Sequence, residues 1–417
     1  MKDKIKESIK DPEKLEQLYQ NDKTAFASGF EAIYPEIENS ELSKFWKIRL
    51  DYGKIPVTKN IILHDILILI CACLLSGFLI KLPVLFSFHS QEIFYMKNAA
   101  LIVFFGLTLY TFWTRRITKM RKLISVVVAV AILTVYVNLL PWVTGRDSID
   151  LIYIHLPLLL WFIFGVVNID FNLNDNLRRI EYIRFNGDMA ILMALIVIAG
   201  GILTAITIGL FQAIGIHVEK FYMDYVVMAG AVSVPVVASF ILGSYPALAN
   251  KIAPVIANIF SPLVLITAIA FLAALAVSGK SPYNDRNFLI MFNAMLIGVM
   301  AVIVFSVSET SSLTRQKFTE MILLILSIIT VIIDLIALSA IFYRLGTFGL
   351  TPNRLAVLGS NILILINLVM IIIDLYKVNF RKALIKEVEL TTAKYLPVYL
   401  AWIVFVVVAF PLIFGMK

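Results

Sequence analysis

The chain has 417 residues, 60% of them hydrophobic, with a mean hydropathy of +0.90. That composition excludes a water-soluble globular protein, whose apolar share is nearer ~45–50%. The formal charge is +8, but residues 1–60 carry 11 Lys and Arg against 11 Asp and Glu, so the basic excess lies wholly beyond them, where no aromatic-interleaved basic patch marks a nucleic-acid partner.

Residues 1–58 read as a small cytoplasmic helical segment, and residues 59–417 as the transmembrane domain. The first 20 residues are polar, so no cleavable signal peptide is expected. Asp11-Pro12 starts a helix with Leu15, Leu18 and Tyr19 on one face. Asp22 caps a second, with Phe26, Phe30, Ile33 and Tyr34, ending near Pro35. Ser40 caps a third, with Leu42, Phe45, Trp46 and Leu50. Three such helices make a core too small to stand alone. They are expected to pack at the membrane surface or against a cytoplasmic protein partner, with Trp46 among Lys44, Lys47 and Arg49 at headgroup level.

Eleven apolar runs follow, each long enough for a bilayer core of about 30 Å. They lie near 60–80, 98–113, 123–142, 151–168, 189–215, 222–246, 253–278, 287–308, 320–342, 354–376 and 396–414. The expected fold is therefore an all-α polytopic bundle in a lipid bilayer. Cys71 and Cys73, the only cysteines, fall in the first run and read as small core residues. With the N-terminus inside, the inner side holds 27 Lys and Arg and the outer side 9, so the positive-inside rule places the N-terminus in the cytoplasm and the C-terminus outside.

Within this frame several residues stand out. Asp170, Asn172, Asn174 and Glu181 have calcium-loop spacing, but Asp175 occupies the position where such loops need glycine, so the stretch reads as a solvated loop. The four histidines, His64, His89, His155 and His217, have no ligand spacing. Pro235 and Pro262 interrupt the sixth and seventh spans, a pattern shared by kinked helices and transporter sites. Asp65, Asp188, Glu309, Glu320 and Asp374 lie at the inner edge; Glu309 sits among hydroxyls in SVSETSS. Asp334 is the one acid well inside the membrane, where a charge must be paired or neutralised. Asn361 in the next span is expected at the same depth and against it, with Ser360 or Ser339 nearby, either as a structural hydrogen bond or as part of a proton- or ion-linked site.

Between these two spans lies Tyr343–Arg354, YRLGTFGLTPNR, a polar break in which Gly346 and Gly349 suit a tight turn. Thr351-Pro352 is a strong helix start. Arg344 and Arg354 flank it, so the turn is either a plain helical hairpin or an anion site. Residues 377–395 are amphipathic, with Phe380, Leu384 and Val388 on one face, and are expected to lie on the cytoplasmic surface. No P-loop, dinucleotide turn, HExxH or GxSxG is present, so neither a cofactor nor a resident metal is expected.

The stretch YRLGTFGLTPNRLAVLGSNILILINL resembles a family of bacterial integral membrane proteins known only as a domain of unknown function, marked by a Tyr/Phe-Gly-Leu-Thr-x-x-Arg turn. Phe348, Gly349, Leu350, Thr351 and Arg354 match it. The closing TAKYLPVYLAWIVFVVVAFPLIF and the N-terminal LEQLYQNDKTAF, YPEI and FWKIRL are similar to Bacteroidetes versions. The resemblance implies a bacterial cytoplasmic membrane and no chemistry. Three functions stay open: a small-solute or ion-coupled transporter, a scaffold or sensor docking a partner through residues 1–58, and a transferase acting on a lipid-linked substrate at Arg344 and Arg354.

Overall fold

The computed structural model describes residues 2–9, 11–21, 23–38, 40–54, 63–88, 90–141, 146–213, 217–277, 283, 286–310 and 316–415. Asp22, His89 and Arg315 lie outside them. The chain divides into two compact units, Met1–Ile61 with Ser244–Ala247, and Ile62–Gly243 with Leu248–Lys417. Among the described residues every regular element is helical.

The first unit has four helices, α1 (Lys2–Glu7), α2 (Pro12–Asn21), α3 (Lys23–Ile37) and α4 (Glu41–Lys54). Asp11 starts α2 as expected, its carboxylate accepting from the Lys14 N–H at 3.1 Å. The short α1 has too few apolar residues to show a period. It is held by Ile5, fully buried in the core, and by Lys6, whose Nζ lies 2.5 Å from Glu36. That ammonium holds the Glu36 carboxyl below its usual range. Helix α3 ends at Ile37, near Pro35 as expected. Trp46, expected at a headgroup surface, is instead 2% exposed. Its indole packs 4.9 Å from Phe26 and 5.3 Å from Tyr19, and the Arg49 guanidinium stacks 4.5 Å above it. Arg49 is in turn gripped by both carboxylate oxygens of Glu16. Phe45 and Ile48 stand exposed on α4.

The second unit holds α5 (Leu63–Leu85), α6 (Gln91–Thr114), α7 (Met120–Leu139), α8 (Asp147–Asn168), α9 (Asn176–Ala213), α10 (Glu219–Ser244), α11 (Pro246–Val277), α12 (Arg286–Glu309), α13 (Lys317–Phe348), α14 (Pro352–Arg381) and α15 (Ile385–Ile413), apart from the last residue of α10 and the first two of α11, which group with the first unit. All eleven are long and apolar enough to cross a membrane. The protein is a multi-pass helical membrane protein. Exposed leucines and isoleucines such as Leu67, Ile70 and Leu74 on α5 suit a lipid-facing side. Cys71 belongs to that exposed side and not to the core, because positions 67, 70, 71 and 74 share one helix face.

Several features differ from expectation. Helix α6 starts at Gln91, seven residues early, because polar Lys97 and Asn98 are accommodated inside the bundle. The Lys97 ammonium donates to the Leu140 carbonyl at 2.7 Å, and Asn98 exchanges amide bonds with Asn138 at 2.9 and 3.2 Å. Residues 377–395 form no separate surface helix. Instead α14 and α15 extend toward each other, and Lys382, at φ 60°, makes the break. Leu375 and Val378 pack with Ile385 and Val388 in one core, while Phe380 and Leu384 stay exposed. Interior prolines, finally, are not confined to the sixth and seventh spans, since α5, α8 and α15 carry them too. The largest core cluster joins α12, α13, α14 and α15 through residues such as Ile303, Leu323, Leu368 and Val388.

Candidate functional site

The polar break between α13 and α14 is shorter than its sequence suggests. Tyr343, Arg344 and Gly346 are still helical, and α13 ends only at Phe348. Gly349 takes φ 77°, which glycine adopts freely, and its N–H bonds back to the Leu345 carbonyl at 3.0 Å. Thr351 caps α14 as expected, its hydroxyl accepting from the Arg354 N–H at 3.4 Å, with Pro352 in the first turn. The Arg354 guanidinium donates to the Phe348 and Gly349 carbonyls at 2.8 and 2.7 Å. A cation on the last carbonyls of a helix opposes the negative end of its dipole. Arg344 and Arg354 lie 5.9 and 5.5 Å from the Phe348 ring. The turn thus brings the two arginines to one aromatic ring, but Arg354 serves helix capping, a use that competes with anion binding.

The longer α13 resets the depth of Asp334. From Phe348 back to Asp334 is 14 residues, about 21 Å at ~1.5 Å per residue. Asn361 is 9 residues past Pro352, about 14 Å down. Asn367 is 15 residues past it, about 22 Å down. The Asn379 amide donates to the Glu320 carbonyl at 3.2 Å near the far end, which fixes this register. Asp334 therefore stands level with Asn367. The expected bond with Asn361 does not form, and Asn361 donates to Asn293 of α12 at 2.9 Å. Ser360 accepts from the Trp402 indole at 3.0 Å, and Ser339 donates to its own helix at Ile336.

What surrounds Asp334 is unusual for a buried acid. The residue is fully buried, midway along the most apolar of the spans, and neither carboxylate oxygen has a hydrogen-bond donor. Among the described residues no charged side chain acts on it. The Tyr399 hydroxyl of α15 lies within electrostatic reach. That hydroxyl accepts from the Asn367 amide at 3.0 Å, while the carbonyl oxygen of fully buried Asn367 has no donor.

Asn367 and Tyr399 were not singled out in the sequence. A signal exists, because Ser360, Asn367 and Asp374 recur every seven residues on one face of α14. Each meets α15: Ser360 with Trp402, Asn367 with Tyr399, and Asp374 with Thr391 at 2.6 Å.

At the ends of α9, α12 and α15 a second polar cluster forms. Arg184 lies 3.2 Å from Glu309 and 3.6 Å from Glu389, and donates to the Ser308 carbonyl. Asp188, one turn along α9, acts on Glu309 electrostatically. Among the described residues Arg184, and not Ser306, Ser308 or Thr310, is the ion-pair partner of Glu309. Elsewhere, Asp170 pairs with Lys122 at 2.6 Å, and Asp175 accepts from the N–H groups of Leu177 and Arg178 at the start of α9. Glu181 is therefore helical and the calcium-like loop is not a loop throughout. Among the described residues no three His, Cys, Asp or Glu side chains group as metal ligands.

No family model, no curated protein and no solved structure matches this chain. The functional reading therefore rests on the geometry.

Proposed function

We propose that the protein is a cation-linked carrier of a small solute in a bacterial cytoplasmic membrane, N-terminus inside, with Asp334 taking up the coupling ion. The resemblance of its Phe348–Arg354 turn to a bacterial family enters the same proposal. The observation that carries the reading is the solitude of Asp334. A charged aspartate at the bilayer centre costs at least ~2.5–3.5 kcal/mol. A structural acid relieves that by pairing, as Asp374 does with Lys377 and Thr391. Asp334 has neither donor nor counter-charge among the described residues, so a mobile ion is its natural partner.

The test is charge displacement in proteoliposomes adsorbed on a solid-supported membrane. Jumps in pH, Na+ or K+ should displace charge in the wild type, and Asp334→Asn, folded by size-exclusion profile, should be silent. Identical traces from the two proteins would refute the reading.

A second reading, docking of a cytoplasmic protein, is favoured by the exposed Phe45 and Ile48 on α4. Removal of residues 1–54 separates the two, since a carrier centred on Asp334 keeps its charge displacement and a docking-dependent activity does not.

A further inference from the structure

We infer that Asp334, Asn367 and Tyr399 form a binding site for a small monovalent alkali cation, Na+. The inference rests on the carrier reading and specifies its ion. It starts from the hydrogen-bond inventory. Three buried oxygens, both of Asp334 and the side-chain carbonyl of Asn367, lack donors. Both residues are fully buried, and a buried oxygen left without a partner is destabilising. The Asn367 amide donates to Tyr399, so it does not relieve them. Thr330, one turn before Asp334 on the same face of α13, donates its hydroxyl hydrogen to the Leu326 carbonyl at 2.6 Å and keeps its lone pairs. The Tyr399 hydroxyl keeps one hydrogen to donate, so the set still holds more acceptors than donors.

Its complement is a cation bound by hard oxygen ligands. One carboxylate balances one positive charge. A divalent ion calls for more carboxylates than the site has, and no group of three acidic or imidazole ligands occurs among the described residues. A proton on Asp334 supplies a single hydrogen to three oxygens, whereas an alkali cation is coordinated by all of them together. The carboxylate, amide carbonyl and phenol come from α13, α14 and α15, so occupancy ties three spans to the ion. That linkage is what a carrier needs if ion binding is to change helix packing.

The experiment uses the full-length protein in detergent. Its unfolding midpoint is followed while Na+ replaces choline or K+ at constant ionic strength, at two pH values. Na+ should raise the wild-type midpoint saturably, by mass action on the folded state. Its half-saturating concentration should rise by about tenfold per pH unit on acidification where the proton competes for Asp334. Asp334→Asn should abolish the response. Tyr399→Phe, which keeps the ring packing, and Asn367→Ser should each weaken Na+ by at least about tenfold. Should Asn367→Ser not fold, Tyr399→Phe and the wild-type ion series decide alone. A response shared equally by Na+, K+ and choline, or undiminished in Tyr399→Phe, overturns the site. A wild type that responds to pH but not Na+ overturns the site and leaves the carrier reading with a proton. Indifference to both, with Asp334→Asn like wild type, removes both proposals.

Discussion

Replacing Arg354 by alanine tests whether the turn between α13 and α14 is a helix cap or an anion site. Its guanidinium donates two hydrogen bonds, to the Phe348 and Gly349 carbonyls, and stacks 5.5 Å from the Phe348 ring. The bonds are exposed, so each is taken at ~0.5–1 kcal/mol, the low end of the net range. The ring contact adds ~0.5–1 kcal/mol at an exposed site. The expected loss is therefore about 2 kcal/mol of unfolding free energy. Arg344 offers the control. One of its terminal nitrogens has no hydrogen-bond partner and its ring contact is longer, 5.9 Å. Arg344→Ala should cost about 0.5 kcal/mol or less. The assay is SDS-titrated unfolding of both variants in mixed micelles, repeated with phosphate. Capping predicts a phosphate-independent loss in Arg354→Ala. A loss below ~0.5 kcal/mol together with abolished stabilisation by phosphate would mean that the arginine binds an anion and that the capping argument is wrong.

Gly359 lies against Trp402, and a Cβ there would fall 2.1 Å from two indole carbons. Gly359→Ala should cost ~1–3 kcal/mol by overpacking, whereas Gly200→Ala, with nothing within 4 Å, should be neutral or slightly stabilising in the same SDS titration. Arg184→Ala leaves Glu309 and Glu389 without their shared cation. It should destabilise by ~1–3 kcal/mol, below the range for a fully buried pair because Arg184 is partly exposed, and adding Glu309→Gln and Glu389→Gln should restore part of the loss; a further drop instead would show that the charges are not the cause. In the first unit, Lys6 depresses the Glu36 carboxyl. The stabilisation is present above the usual carboxylate value and is lost as pH falls through the lowered one. Amide protection of α1, corrected for intrinsic exchange, should therefore fall on acidification in the wild type and less steeply in Glu36→Gln.

The eleven spans were legible because the bilayer imposes a length and a composition that the chain shows residue by residue. The Thr351-Pro352 start was equally legible, since capping is local chemistry within four residues. Helix ends were not: Gly346 and Arg344 read as loop, yet Arg354 satisfies the last carbonyls of α13 and lets the helix continue to Phe348. That six-residue extension moves Asp334 away from Asn361 and level with Asn367, a shift no local pattern records. Trp46 misled for a similar reason, because flanking basic residues suggest a headgroup while the helix face carries it into an aromatic core. Arg184, Glu309 and Glu389 are far apart in the chain and meet only where α9, α12 and α15 converge. Sequence by itself determined which segments must leave water, since that depends on the transfer free energy of each residue type. The tertiary structure alone decided which polar groups meet inside, because that depends on register between helices, and register is set by how distant side chains pack.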